Sequence, residues 1–172
     1  MKSGLEVPRG PHVLIQQAVL PETARLLRSG AFSNRRHERV VYWAGKDLGS
    51  SWIVSTCIAP RATTTAGSFE VSAESNARVI MLLSELGLVL LAQLHTHPGA
   101  WVDHSDGDND GAFMAYEHFV SIVVPSYARD GVWPLGTCGV HRFRCGVFHR
   151  LHNAEIEKDF RVIPTSCDLR RS

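Results

Sequence analysis

The residues of this chain whose types and spacing suit metal chemistry are His95-Thr96-His97-Pro98, followed by Ser105 and Asp108. Side chains alternate faces along an extended segment, so histidines two apart point the same way and two imidazoles can converge on one ion. Zinc takes nitrogen and carboxylate oxygen ligands, and a catalytic zinc uses three protein ligands with the fourth position left to water. Asp108 can return as the third ligand if the intervening loop turns, and Pro98-Gly99 and Gly107 permit that turning. A histidine pair alone is a weak signal in a chain with nine histidines. It gains weight from the apolar run that ends in it. Asp103, Asp106, Asp108 and Asp110 also fit a solvated loop or a weak calcium site, but the closing glutamate of an EF-hand is missing, which sets calcium aside. Ser105 and Asp108 have capping-box spacing as well, with the serine starting a helical turn and the aspartate at its third position. The two readings are compatible: the cap positions Asp108, and its other oxygen is left to ligate.

Such a site needs a rigid frame, and the surrounding pattern supplies one. Residues 88–94 (LVLLAQL) are almost continuously apolar, as in a strand buried on both faces, and they deliver His95 and His97 at their C-terminal end. Upstream, 12–20 reads as a strand and 21–29 as a helix with proline in its first turn and Gly30 near its stop. Residues 39–44 and 52–59 read as two further strands and 60–67 as a loop. A helix is expected over 72–87, with Val79, Ile80, Leu82, Leu83 and Leu86 on one broad apolar face and Gly87 as its C-cap. Residues 119–125 form another buried strand, 136–143 and 146–151 an antiparallel pair, and the tail from 161 lacks periodicity and is expected to be mobile. Strands interspersed with two or three helices predict an α/β or α+β sandwich around one sheet.

The chain has 172 residues, 44% hydrophobic and 20% charged, which fits a single globular domain spanning 1–172. A net charge of +1 gives no reason to expect a nucleic-acid partner, and Arg35, Arg36 and Arg39 form only a short basic cluster. No run approaches the roughly 18 apolar residues that span a bilayer, and the first residues lack a signal-peptide core, so a cytoplasmic location is expected. Cys57, Cys138, Cys145 and Cys167 show no CxxC pairing and read as thiol fillers, not bridges or a structural zinc site.

Taken together, HTHP, six residues, then Ser105 and Asp108 reproduce the HxHP-x6-SxxD pattern, and the chain resembles the JAMM (MPN+, JAB) metallopeptidases. That family also has a glutamate at the start of a strand running into a glycine, and Glu38 before Arg39-Val40-Val41-Tyr42-Trp43-Ala44-Gly45 resembles that element. Val41 stands where the family has a small residue, and bulkier Tyr42 and Trp43 follow it. The resemblance covers about 38–125. It implies a cytidine-deaminase-like JAB/MPN fold, with a curved mixed sheet sandwiched by two to three helices. It implies one Zn2+ per chain on His95, His97 and Asp108, which would lower the pKa of a bound water. Glu38 would be the general base and Ser105 an oxyanion donor. The competing reading of Glu38 is a surface ion pair with the neighbouring arginines. His104 is not expected among the ligands, and Trp101 either walls the substrate cleft or packs the loop.

The resemblance further implies hydrolysis of the amide bond after a ubiquitin-like modifier, whose tail would lie as an added strand near the zinc. The compact chain is more similar to stand-alone bacterial members, with E1-like and E2-like partners in an antiphage conjugation system favoured over a sulfur-carrier pathway. Two alternatives belong to other classes: a hydrolase releasing an amino acid from a small amide or carrier, and a non-catalytic MPN interaction module.

Overall fold

A computed structural model describes residues 10–28, 36–105, 107–108 and 113–167; Gly30, Arg35, Asp106 and Asp110 of the sequence argument lie outside them. The architecture is α+β. Ten strands are described: β1 (His12–Gln16), β2 (Val40–Asp47), β3 (Ser51–Ile58), β4 (Ala62–Thr64), β5 (Phe69–Val71), β6 (Val89–Thr96), β7 (Val120–Val124), β8 (Gly139–Arg144), β9 (Val147–Arg150) and β10 (Phe160–Ile163). Helices α1 (Val19–Arg28), α2 (Ala73–Leu86) and α3 (Asn153–Asp159) accompany them. Eight strands form one mixed sheet in the order β10-β1-β3-β2-β6-β7-β8-β9, and β4 and β5 make a separate hairpin.

The sheet is covered on both faces, which explains why its central strands are so apolar. Along β2, Val41 and Trp43 join the cluster that holds Leu27 of α1 and Ile156 of α3. Val40, Tyr42 and Ala44 join the other cluster, with Val79 and Leu83 of α2. The period-two alternation of a strand thus sends its residues to two cores. Gly45 sits at a register shift between β2 and β3, and a Cβ there would lie 1.7 Å from the Ile53 carbonyl oxygen. Only glycine permits that approach.

Several boundaries differ from the sequence reading. Helix α1 begins at Val19, two residues before Pro21, so the proline occupies its third position, where the missing N–H has no intrahelical partner to lose. The stretch 60–67 is not only loop, since it contains β4 and the turn into β5; its threonines favour extended backbone. The tail from 161 is corrected most. Phe160–Ile163 pairs in parallel with β1, so three residues of the expected mobile tail are an edge strand of the main sheet. Helix α2 is capped as expected, with the Ser72 hydroxyl accepting from the Ser75 amide and Gly87 at φ 61. It buries a narrower stripe than expected, Ser75, Val79 and Leu83, while Ile80, Leu82 and Leu86 stay exposed. The β8–β9 pair turns at Cys145-Gly146, both at positive φ, as a two-residue hairpin turn requires. All four cysteines are free, Cys138 buried and Cys145 and Cys167 exposed. No described helix is long and apolar enough to cross a membrane.

Candidate metal centre

Three neighbouring strands bring the chemistry to one end of the sheet. Strand β6 runs parallel to β7 and antiparallel to β2, so the C-terminal end of β6 meets the start of β2. Val40 pairs with His95, and the pairing continues past the strands through the Thr96 amide to the Arg39 carbonyl (3.0 Å) and the Arg39 amide to Thr96 Oγ1 (3.0 Å). Antiparallel register therefore carries Glu38 opposite His97. The loop after β6 is tied back at its root, with the His97 amide donating to the Val124 carbonyl (2.9 Å) and the Ser126 amide to the Gly99 carbonyl (2.9 Å). Further along, the loop rests on β8 at Gly139, where a Cβ would lie 1.7 Å from the Val102 carbonyl oxygen.

His95, His97 and Asp108 meet at a point. Their imidazole Nε2 atoms are 3.2 Å apart, Asp108 Oδ1 is 3.1 Å from His95 Nε2, and Asp108 Oδ2 is 3.4 Å from His97 Nε2. Ligands at about 2.0–2.1 Å around a tetrahedral zinc stand roughly 3.3 Å from one another, so these separations match the edges of such a site. The tautomer also fits. His97 Nδ1 lies 3.1 Å from the Trp101 carbonyl, which can only accept, so Nδ1 carries a proton and Nε2 is the ring atom that faces the centre. His95 Nδ1 has no hydrogen-bond partner among the described residues. Its ring is fully buried, and burial lowers its pKa despite the opposing pull of Asp108, which keeps it neutral and able to ligate. Burial works against the charged form of His97 too, but contact with Asp108 outweighs it and the pKa ends above its ordinary value. For Asp108, burial alone would raise the pKa; hydrogen bonds with His95 and His97 override it and hold the carboxyl far below the usual range. The donor set and its spacing fit a divalent transition ion.

Ser105 and Asp108 form a reciprocal cap. The Asp108 amide donates to Ser105 Oγ (3.2 Å), while the Ser105 amide (2.7 Å) and hydroxyl (2.8 Å) both donate to Asp108 Oδ2. One carboxylate oxygen is thus anchored and Oδ1 is presented to His95. The serine proton is directed at Asp108 in this state.

Glu38 is 3% exposed and its amide donates to the Thr65 carbonyl (2.8 Å). Burial pushes its carboxyl up to about 7, with His97 lowering and Asp108 raising it. No described arginine pairs with it: the Arg39 guanidinium goes to the Glu38 carbonyl oxygen and to Thr64 Oγ1. Glu38 lines a cleft of about 350 Å³ with Gly67, Phe69, His97, Trp101, Ser105 and Asp108. Trp101 stacks on the His97 ring (centroids 5.1 Å apart, planes at 16°) and lines the cleft while 54% exposed.

Two features of the surroundings go beyond the sequence reading. His104, not expected among the ligands, packs near His95 (ring centroids 6.3 Å apart), with its Nε2 2.9 Å from Ser121 Oγ and its ring stacked on His141 at 3.8 Å. The second is a turn after β7 in which Ser126, Tyr127 and Ala128 all have positive φ (53°, 53° and 57°). Left-handed backbone costs a residue with a Cβ about 1–2 kcal/mol, and nothing in the residue types announces it.

Fold and site together define an α+β protein with a His–His–Asp centre at the end of a central strand. No protein-family model matches the chain. Over 98 residues, 55% of this chain, it is 32% identical to a protein of Sinorhizobium fredii named probable metalloprotease y4jG, and the match spans 60% of that relative's own length. The solution structure of protein DSY2949 from Desulfitobacterium hafniense is similar in fold, with a TM-score of 0.64 at 13% identity over 92% of this chain and 96% of that one.

Proposed function

We propose that the chain is a zinc-dependent peptidase of the JAMM type, which hydrolyses the amide bond following a ubiquitin-like modifier. The observation that carries this reading is the convergence of His95, His97 and Asp108 on one cleft with the buried Glu38. The similarity to a relative named a probable metalloprotease supports the peptidase class. The HxHP-x6-SxxD pattern supports the finer assignment, including the cytidine-deaminase-like fold.

Zinc held by the triad would act as a Lewis acid and bring the pKa of a water in the cleft toward neutrality. Glu38, which lines the same cleft, takes a proton from the attacking water and returns it to the leaving amine. Ser105, released from Asp108 by a rotation of its hydroxyl, donates to the developing oxyanion. Trp101 and Phe69 border the cleft and limit access of bulk water. An extended modifier tail binds beside the β4–β5 hairpin, where backbone hydrogen bonds orient the scissile carbonyl. The assigned partners are a ubiquitin-like protein or its conjugate, with E1-like and E2-like enzymes, in a cytoplasmic antiphage conjugation system.

The test offers the zinc-loaded protein a fusion cleavable after a ubiquitin-like modifier and, separately, a small acyl-amino acid. Cleavage of the fusion that disappears in Glu38→Ala is expected. Turnover of the small amide alone would place the protein among small-amide hydrolases, and turnover of neither would leave an interaction module.

A further inference from the structure

One residue outside the triad is bonded to both sides of the cleft. The Tyr127 amide donates to the carbonyl of His97 (2.9 Å), and its hydroxyl donates to the carbonyl of Ala66 (2.8 Å), 61 positions away in sequence. Ala66 belongs to the β4–β5 turn whose Gly67, Ser68 and Phe69 line the opposite wall. Its neighbour Thr65 receives the Glu38 amide (2.8 Å), so the loop that Tyr127 grips also holds the backbone of Glu38. The loop is closed on itself, with the Thr65 amide donating to the Ser68 carbonyl (2.8 Å), and therefore transmits a fixed position as a unit.

The backbone at Tyr127 is unusual in the same place. Tyr127 adopts φ 53° and ψ 36° between two further left-handed residues, although none of the three is glycine. Strain of this kind persists only where the surroundings over-determine it, and it concentrates at functional sites. Here the left-handed turn lets consecutive amides of Ser126 and Tyr127 reach the carbonyls of Gly99 and His97, while Tyr127, 6% exposed, reaches Ala66 through its hydroxyl.

We propose that Tyr127 is a positioning residue that sets the separation between the 65–69 loop, which walls the cleft and holds the Glu38 amide, and the His97 wall. The catalytic consequence rests on the peptidase reading above; the mechanical coupling does not. The variant Tyr127→Phe keeps the ring and the amide bond to His97 and removes only the link to Ala66. In the zinc-loaded full chain, amide hydrogen exchange at 65–69 should rise at least fivefold, with 79–83 of α2 unchanged and the zinc dissociation constant within twofold of wild type. Turnover should show a kcat about tenfold lower with a smaller change in KM. Unchanged exchange at 65–69 would overturn the coupling, as would a uniform rise across β6 and β7 or a parallel loss of zinc affinity, each of which marks a merely structural role. A wild-type protein that cleaves no amide would instead remove the peptidase reading and leave the coupling to stand or fall on exchange alone.

Discussion

Two of the buried polar clusters among the described residues are built on opposite principles. At one, Arg142 of β8 is fully buried and pairs with Asp159 of α3 at 2.7 Å, with a further bond to the Pro11 carbonyl (3.3 Å) and the Phe160 ring 5.5 Å from the guanidinium carbon. Cation meets anion, and the pair ties helix to sheet. At the other, two imidazole nitrogens and a carboxylate face one another within 3.4 Å, a second buried carboxyl stands across the cleft, and no described lysine or arginine pairs with either acid. A cluster that pairs a cation with an anion ties elements of the fold together; a cluster of acceptors aimed at one point is arranged for a cation from outside.

That contrast can be broken at either end. The largest effect is expected at His97→Ala, which should lose zinc and all turnover while the metal-free protein unfolds at much the same denaturant concentration as wild type; metal analysis and a melt of the same sample check both halves. Glu38→Ala should keep zinc and lose about 10²–10⁴ in kcat, or about 3–5 kcal/mol of barrier. At the other cluster, Asp159→Ala should leave Arg142 buried and uncompensated, costing about 3–5 kcal/mol of stability in a urea titration with zinc affinity unchanged. The pH profile sharpens the comparison further. Glu38 acts as a base only when ionised, so kcat/KM should rise with pH along its acid limb. Burial, the largest cause, pushes that carboxyl up to about 7 with His97 and Asp108 acting in opposite senses, and a cation in the triad favours the carboxylate, so the limb should lie below 7 in the zinc form and vanish in Glu38→Gln. The smallest effect is expected at Ser126→Gly, which relieves one left-handed residue and should raise stability by about 0.5–1 kcal/mol with activity intact.

The site was more legible in the sequence than its support. An apolar strand that stops at His95 and His97 declares its end, Ser105 and Asp108 declare a cap, and Gly87 declares a helix stop, because each rests on local spacing. Glu38 is different. Periodicity places it only before a strand, and its position opposite His97 follows from antiparallel pairing of β2 with β6, which is tertiary. The hairpin at 62–71 had a local signal, three threonines running into Ala66-Gly67, that a reading of the segment as loop passes over. Strand β10 had little: four residues whose extended conformation depends on a parallel neighbour 147 positions earlier. Tyr127 had none, since Ser-Tyr-Ala carries no preference for left-handed backbone and only the bonds to His97 and Ala66 explain it. Chemistry fixed by adjacent residues can be read directly; chemistry fixed by packing cannot.

The central claim is that His95, His97 and Asp108 hold one zinc ion. Anomalous diffraction at the zinc edge from crystals grown with zinc in excess tests it most directly. A single peak within about 2.0–2.2 Å of His95 Nε2, His97 Nε2 and an Asp108 carboxylate oxygen is predicted. Anomalous density confined to surface histidines, with the triad bonded only to itself, would contradict it.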